Sequence, residues 1–294
     1  MAKARKILKR RNAVKSIRTV TKTMEMVSTA RFRRSHTHAA AARPYTDRLT
    51  RMVGEVLARH EGKISHPLLD DVERTKREVM FIISSNRGLC GGYNQAILRV
   101  ALERLGQVLQ AGYDVQVHVS GKKGISYLRY QGMQVDREYT ELDGLPDYNV
   151  IGRLAERFMR QFLDGRIGGL EVAYTRMISA TQSRPVIAQI LPIDWLMADQ
   201  SETDEQGIRR PYELHPSGEE VLRNLLPAAV RLRLYQCFLD ATVVEQISRM
   251  TAMRSATENA DELIGSLTVQ YNRMRQQQIT TELSEIITGR SGLE

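Results

Sequence analysis

The chain has 294 residues, 42% hydrophobic and 26% charged, which excludes a disordered protein or a small stapled scaffold and allows one ordinary core with material to spare. No stretch approaches the roughly 18 uncharged apolar residues of a membrane span, and the N-terminus lacks a signal peptide's apolar run, so a soluble protein made where it works is expected. Cys90 and Cys237 stand far apart, in no metal-ligand or C-x-x-C spacing. That spacing argues against a disulfide framework, a zinc site and a redox pair, and for a reducing compartment.

The net charge of +9 is unevenly placed. Residues 1–60 hold 16 Lys and Arg against Glu25, Asp47 and Glu55, a balance of +13, which leaves −4 on the other 234 residues. A basic segment on a mildly acidic body points to an acidic partner for that segment.

From Ala2 to about Arg59 the only proline is Pro44 and the only glycine Gly54, in a composition rich in Ala, Arg, Lys, Met and Leu. This predicts one long helix, with Pro44 as the point of disturbance. Ile7, Val14, Ile17, Met24 and Val27 step by sevens and threes and define a narrow apolar stripe flanked by Arg and Lys. A narrow stripe calls for one partner helix.

Between Glu78 and Ile193 the pattern changes. Val79–Ile83 reads as a buried strand ending in a Gly-rich turn, followed by a helix from Asn94 to Gln110 and a strand from Val115 to Val119. A short helix over 123–130, a helix over 149–163 and strands over 170–178 and 186–191 follow. The alternation predicts a Rossmann-like α/β domain with a mostly parallel sheet. Residues 197–216 are polar and acidic and read as a loop, and Ser217 to Glu220 forms a capping box. Beyond it a helix runs to Thr288, with Pro227 expected to kink or restart it. In it Met250, Met253, Thr257, Ala260, Ile264, Leu267, Tyr271 and Met274 alternate steps of three and four, a coiled-coil seam. Two terminal helices with narrow seams most simply pair antiparallel. The organisation expected is an N-terminal shaft helix over 1–60, an α/β domain over 75–195 and a C-terminal shaft helix over 212–294.

The turn from Ser84 to Asn94 places Gly88, Gly91 and Gly92 between a strand and its helix, where a dinucleotide-binding turn would lie. Its spacing is not G-x-G-x-x-G and no G-K-[ST] follows, so tight turning or close backbone approach is the favoured role for these glycines. Ser120-Gly121-Lys122-Lys123-Gly124 resembles a phosphate loop only in composition. Cys90 reads as structural, since no histidine can be tied to it by sequence. His36 and His38 point to different sides of a helix, which disfavours a metal site there. No carboxylate pair stands out as acid and base. The basic stripe lacks the aromatic platforms of single-strand binders, having only Phe32 and Tyr45.

Three stretches resemble a known family. These are Val20 to Arg31 (VTKTMEMVSTAR), Ser85 to Asn94 with its RGLCGG, and Met250 to Ala260 (MTAMRSATENA), the last followed by Tyr271-Asn272-Arg273 and Ile279 to Ile287. In order and spacing they are similar to the gamma subunit of F-type ATP synthases. The resemblance implies a central rotor shaft inside a ring of alpha and beta subunits. Its α/β domain would be the foot on the membrane c-ring and the epsilon subunit. It implies no catalytic residue, no metal, no cofactor, no nucleic acid and no direct small-molecule substrate for this subunit. By motif, Met24, Arg249, Gln276, Thr280 and Glu282 are the expected contacts with the beta subunits. Tyr212 and Glu213 are expected to meet the membrane ring, and Ile17, Met24, Met253, Ala260, Ile264 and Leu267 to form the seam. A bacterial plasma membrane, cytoplasmic side, is the implied setting, without thiol control. A nucleotide-cofactor oxidoreductase built on the α/β domain and a basic coiled-coil nucleic-acid binder are the competing classes.

Overall fold

The computed structural model describes residues 2–59, 66–69, 75–179, 182–193 and 218–291. They form two compact units, residues 1–30 with 249–294 and residues 31–248. Helix α1 (Ala2–Arg59) and helix α5 (Gly218–Ser291) each contribute to both units. Both prolines lie within unbroken helical assignments, Pro44 in α1 and Pro227 in α5. Pro227 stands nine residues after the first residue of α5, so the restart expected there does not occur. Ser217, the expected cap, lies outside the described residues.

The unit of residues 31–248 is built on β1 (Arg77–Ile83), α2 (Tyr93–Gln110), β2 (Asp114–Ser120), α3 (Lys122–Tyr130), β3 (Arg137–Tyr139), α4 (Tyr148–Leu163), β4 (Gly169–Met177) and β5 (Ser183–Leu191). The strand order is β3-β2-β1-β4-β5. β1 pairs parallel with β2 and β4, and β2 parallel with β3, whereas β4 and β5 pair antiparallel. The continuous apolar run of β1 follows from burial on both faces. Val79, Phe81 and Ile83 join one core with α4, the second half of α1 and the first part of α5, including Leu49, Phe158 and Phe238. Met80 and Ile82 join the opposite core with α2 and α3, including Ile97, Leu105 and Leu128. Helix α4 begins at a carboxylate cap, where Asp147 accepts from the amides of Asn149 at 2.7 Å and Val150 at 3.2 Å.

A charged cluster enters the α2 side of the sheet. Glu171 on β4 receives the guanidinium of Arg104, its Nε 2.9 Å from Oε2 and 3.1 Å from Oε1. Burial and the repulsion of Glu171 raise the pKa of neighbouring Glu78.

Candidate functional site

In the unit of residues 1–30 and 249–294, the two long helices meet through side chains whose numbers rise on one and fall on the other. The Thr257 hydroxyl lies 2.8 Å from that of Thr21, Arg18 Nε is 2.5 Å from Asp261 Oδ1, and the Arg11 guanidinium sits 5.4 Å from the centre of the Tyr271 ring. The pairing is therefore antiparallel. Each contact is weak alone: the Arg18 pair is about half exposed and worth at most about 1 kcal/mol. The ring contact, between two half-buried side chains, adds about 0.5–2 kcal/mol. Burial of the seam supplies the larger share. Met253, Thr257, Ala260 and Leu267 are all buried, with Ile264 half-buried between the last two.

The facing seam on α1 differs from the stripe read from spacing. Ile17 is 56% exposed, and Val20 and Val27 are exposed as well, while Met24 is half-buried. Thr21 and Ser28 occupy the buried positions instead, continuing the seven-residue step that starts at Ile7 and Val14. The correction has a physical reason. Small hydroxyl side chains permit close helix approach and satisfy themselves on their own helix, as Thr21 does by donating to the carbonyl of Arg18 at 3.0 Å. That unbroken step of seven was the signal available in the sequence; apolar character drew the stripe away from it.

The remaining expected contact residues separate by burial. Gln276, Thr280 and Glu282 lie exposed on α5, with Thr280 Oγ1 donating to the carbonyl of Gln276 at 2.9 Å and Gln278 Nε2 donating to Glu282 at 2.9 Å. Arg249 is only 6% exposed. Tyr212 and Glu213 lie outside the described residues.

The Gly-rich turn after β1 is filled by its own groups. Ser85 N donates to Asn94 Oδ1 at 3.0 Å, Asn94 Nδ2 donates to Ser85 Oγ at 2.8 Å, and Leu89 and Gly91 take left-handed φ values of 63° and 55°. Across from it, Ser84 Oγ accepts from the amide of Gly124 at 3.0 Å and lies 2.7 Å from the carbonyl oxygen of Ser120, to which it donates. A Cβ on Gly121 would stand 2.2 Å from the carbonyl oxygen of Ser84, and one on Gly124 would stand 2.4 Å from its Oγ. These glycines of the second turn thus serve contact between the two turns. Burial pushes the Cys237 thiol up to about 12, the opposite of a reactive thiolate. Among the described residues no group of three or more His, Cys, Asp or Glu side chains could hold a metal ion, and no helix is long and apolar enough to cross a membrane.

An α/β domain inserted in sequence between two long helices that pair antiparallel with each other defines a class of coiled-coil protein with a Rossmann-like insertion. A family model described as ATP synthase matches residues 3–293. The ATP synthase gamma chain of Rhodopirellula baltica is 39% identical over 297 residues, covering all of both chains, and that of Leptospira biflexa is 36% identical over 290 residues, covering 98% of each. The chain belongs to the ATP synthase gamma-chain family, a non-catalytic subunit and the rotor of that complex. Its fold is that of a chain in the Euglena gracilis mitochondrial ATP synthase (TM-score 0.66, 16% identity, 99% of this chain and 95% of that one). It is also that of a chain in the central stalk and c-ring of the Tetrahymena thermophila enzyme (TM-score 0.56, 18% identity, 81% and 99%). The oxidoreductase and nucleic-acid classes find no support.

Proposed function

We propose that this rotor chain couples the turning of a membrane c-ring to successive changes of nucleotide affinity in the catalytic beta subunits, in ATP synthesis or in ATP-driven pumping of protons or sodium ions. The carrying observation is the antiparallel pairing through Thr21–Thr257, Arg18–Asp261 and Arg11–Tyr271. Two mutually braced helices resist twisting as one helix cannot. An asymmetric shaft turning in a ring of alternating alpha and beta subunits makes different contacts with each beta subunit. That difference in contact free energy is what can shift each site's affinity in turn. The chain supplies shape and stiffness; the chemistry belongs to the beta subunits.

In this reading Met24, Gln276, Thr280 and Glu282 are the surface that meets the beta subunits. Their exposed or half-exposed side chains suit that role. Arg249, buried in this chain by itself, belongs to the same expected contact set. Tyr212 and Glu213 belong to the foot that meets the c-ring beside the epsilon subunit. The complex is membrane-bound, and this chain sits on it peripherally, on the cytoplasmic side of a bacterial plasma membrane.

Met24→Lys tests the contact surface. The helix around it already holds Arg18, Lys22 and Arg31, and a new cation facing the acidic partner expected for this basic segment deepens the energy well at some rotor angles by about 0.2–1 kcal/mol. Coupling should fall more than ATP hydrolysis. Ion pumping per ATP hydrolysed is measured in membrane vesicles for both forms, and repeated at raised salt, which should restore the ratio. Pumping and hydrolysis falling in strict proportion would remove Met24 from that contact.

A further inference from the structure

A cavity of about 300 Å³ opens outside the carboxyl ends of β1 and β2, between the loop from β3 to α4 and the part of α5 around Phe238 to Glu245. The crevice beyond the carboxyl ends of the strands is where open α/β sheets take ligands, and this volume lies at the lower end of small-molecule sites.

The lining chooses a chemical class. Glu141, Asp143, Asp147 and Glu245 border the cavity, and no Lys, Arg or His does. Arg87 reaches Asp143 from outside at 3.5 Å. The N-terminus of α4 opens here, ordinarily a place for an anion, but Asp147 already occupies two of its amides. A phosphate or carboxylate therefore meets repulsion, and a cation meets attraction. The floor is apolar and aromatic, made by Tyr93, Ile151 and Phe238, all buried.

A second, independent feature lies at the base. Ser120, 1% exposed, lines the cavity. It lies on the sheet face opposite Val119, whose side chain joins the core of α2 and α3. Its carbonyl accepts from the amide and hydroxyl of Ser84, whereas its own hydroxyl makes no hydrogen bond among the described residues. That hydroxyl is not sealed off: it meets the open space of the cavity, where it can bond a guest.

We propose that this cavity binds a small organic ammonium: a primary amine on an aromatic or branched apolar body of about ten non-hydrogen atoms. The body rests on Tyr93 and Phe238, the ammonium donates to the Ser120 hydroxyl and a border carboxylate, and the acidic rim rejects anions. This inference stands apart from the rotor reading, since it concerns the chain alone.

The experiment titrates the full-length chain with 2-phenylethylamine, followed by calorimetry and amide NMR shifts, beside the neutral 2-phenylethanol and the anionic 3-phenylpropionate. Saturable binding with Kd below about 1 mM is expected for the amine, at least about tenfold weaker binding for the alcohol, and none for the acid. Glu141→Gln, at an exposed position, should weaken the amine by about two- to fivefold, and Ser120→Ala by about tenfold. Thr242→Leu, which narrows the mouth from a half-exposed position on α5, should abolish binding while leaving the unfolding temperature close to that of the parent. No saturation by about 10 mM amine, equal affinity for amine and alcohol, or undiminished binding in a folded Thr242→Leu chain would each overturn the proposal.

Discussion

Gly121 holds φ +100°, and any side chain there would drive its Cβ to within 2.2 Å of the carbonyl oxygen of Ser84. Backbone cannot yield as a flexible side-chain end can, so Gly121→Ala should cost more than about 3 kcal/mol in urea unfolding. Gly132→Ala is the control. It shares a positive φ, +73°, but meets nothing within 4 Å, so its cost should stay near 1 kcal/mol. Equal costs would mean that the approach of the two turns is not what these glycines serve. His118 sets a pH dependence. It lies among Phe81, Tyr139 and Phe158. Burial, with Arg137 adding to it and Asp136 opposing, pushes its pKa from 6.5 down to about 4. The unfolded chain therefore takes up a proton before the fold does. The stability contributed by neutral His118 is present above pH 6.5 and is lost as pH falls from 6.5 towards 4, by up to about 3 kcal/mol. Denaturant midpoints at about pH 7.5 and pH 5 should separate for the natural chain, and separate less for His118→Phe.

Along α1 and α5 the hydroxyl pair Thr21 and Thr257 offers a test of how the seam is held. Thr257 lies 2.8 Å from both Thr21 Oγ1 and the Met253 carbonyl, and Thr21 donates to the Arg18 carbonyl. Each hydroxyl keeps a backbone partner when the other is removed, so either single change to Val should cost only about 0.5–1.5 kcal/mol. The double change should cost less than the sum of the singles, because two methyl-bearing isosteres pack with no orphaned acceptor. A double-mutant cycle on thermal unfolding measures this coupling, and strict additivity would show that the hydroxyls do not interact. The same elements show what the sequence could disclose. Two long helices were legible from composition, and the C-terminal seam from its three-four steps, because Met253, Ala260 and Leu267 there are apolar and buried. The N-terminal seam was not, since Thr21 and Ser28 are buried while the more conspicuous Ile17 and Val20 are exposed. In the α/β domain, β1, β2, β4 and β5 announced themselves by apolar content. The three-residue strand Arg137–Tyr139 has almost none, and is held by pairing with His118–Ser120. Nor could spacing alone reveal that β5 runs antiparallel to β4, because strand direction depends on the length and path of a connection rather than on the strand's own residues. The closing of the glycine turns by Ser84, Ser85 and Asn94 was legible only as a missing phosphate-loop spacing; the bonds that fill the turns link residues up to 40 positions apart.

At the scale of the whole molecule the charge is concentrated. Residues 1–30 and 249–294 contain 14 Lys and Arg against 7 Asp and Glu, so this unit carries +7 of the net +9. Some of these cations are paired internally, Arg18 with Asp261 and Lys22 with Glu25, and each such pair is neutral and adds nothing to the net +7. A shaft that turns cannot afford a deep well at any one contact. Its positive field is therefore better suited to guiding assembly with an acidic partner than to gripping that partner at one angle, and the two roles have different kinetic signatures. Long-range attraction accelerates encounter and is screened over about 10 Å at 0.1 M salt, whereas a desolvated ion pair at the contact slows dissociation. Association of this chain with the purified alpha and beta head, followed by stopped flow between about 0.05 and 0.3 M salt, should therefore lose about tenfold or more in association rate while the dissociation rate changes by less than about threefold. Lys9→Gln with Lys15→Gln, two cations on α1 with no carboxylate partner among the described residues, should lower the association rate at low salt and leave it nearly unchanged at high salt. If salt and these substitutions act mainly on dissociation, the basic unit grips its partner directly, and the rotor must then overcome ion-pair wells at every step of its turn.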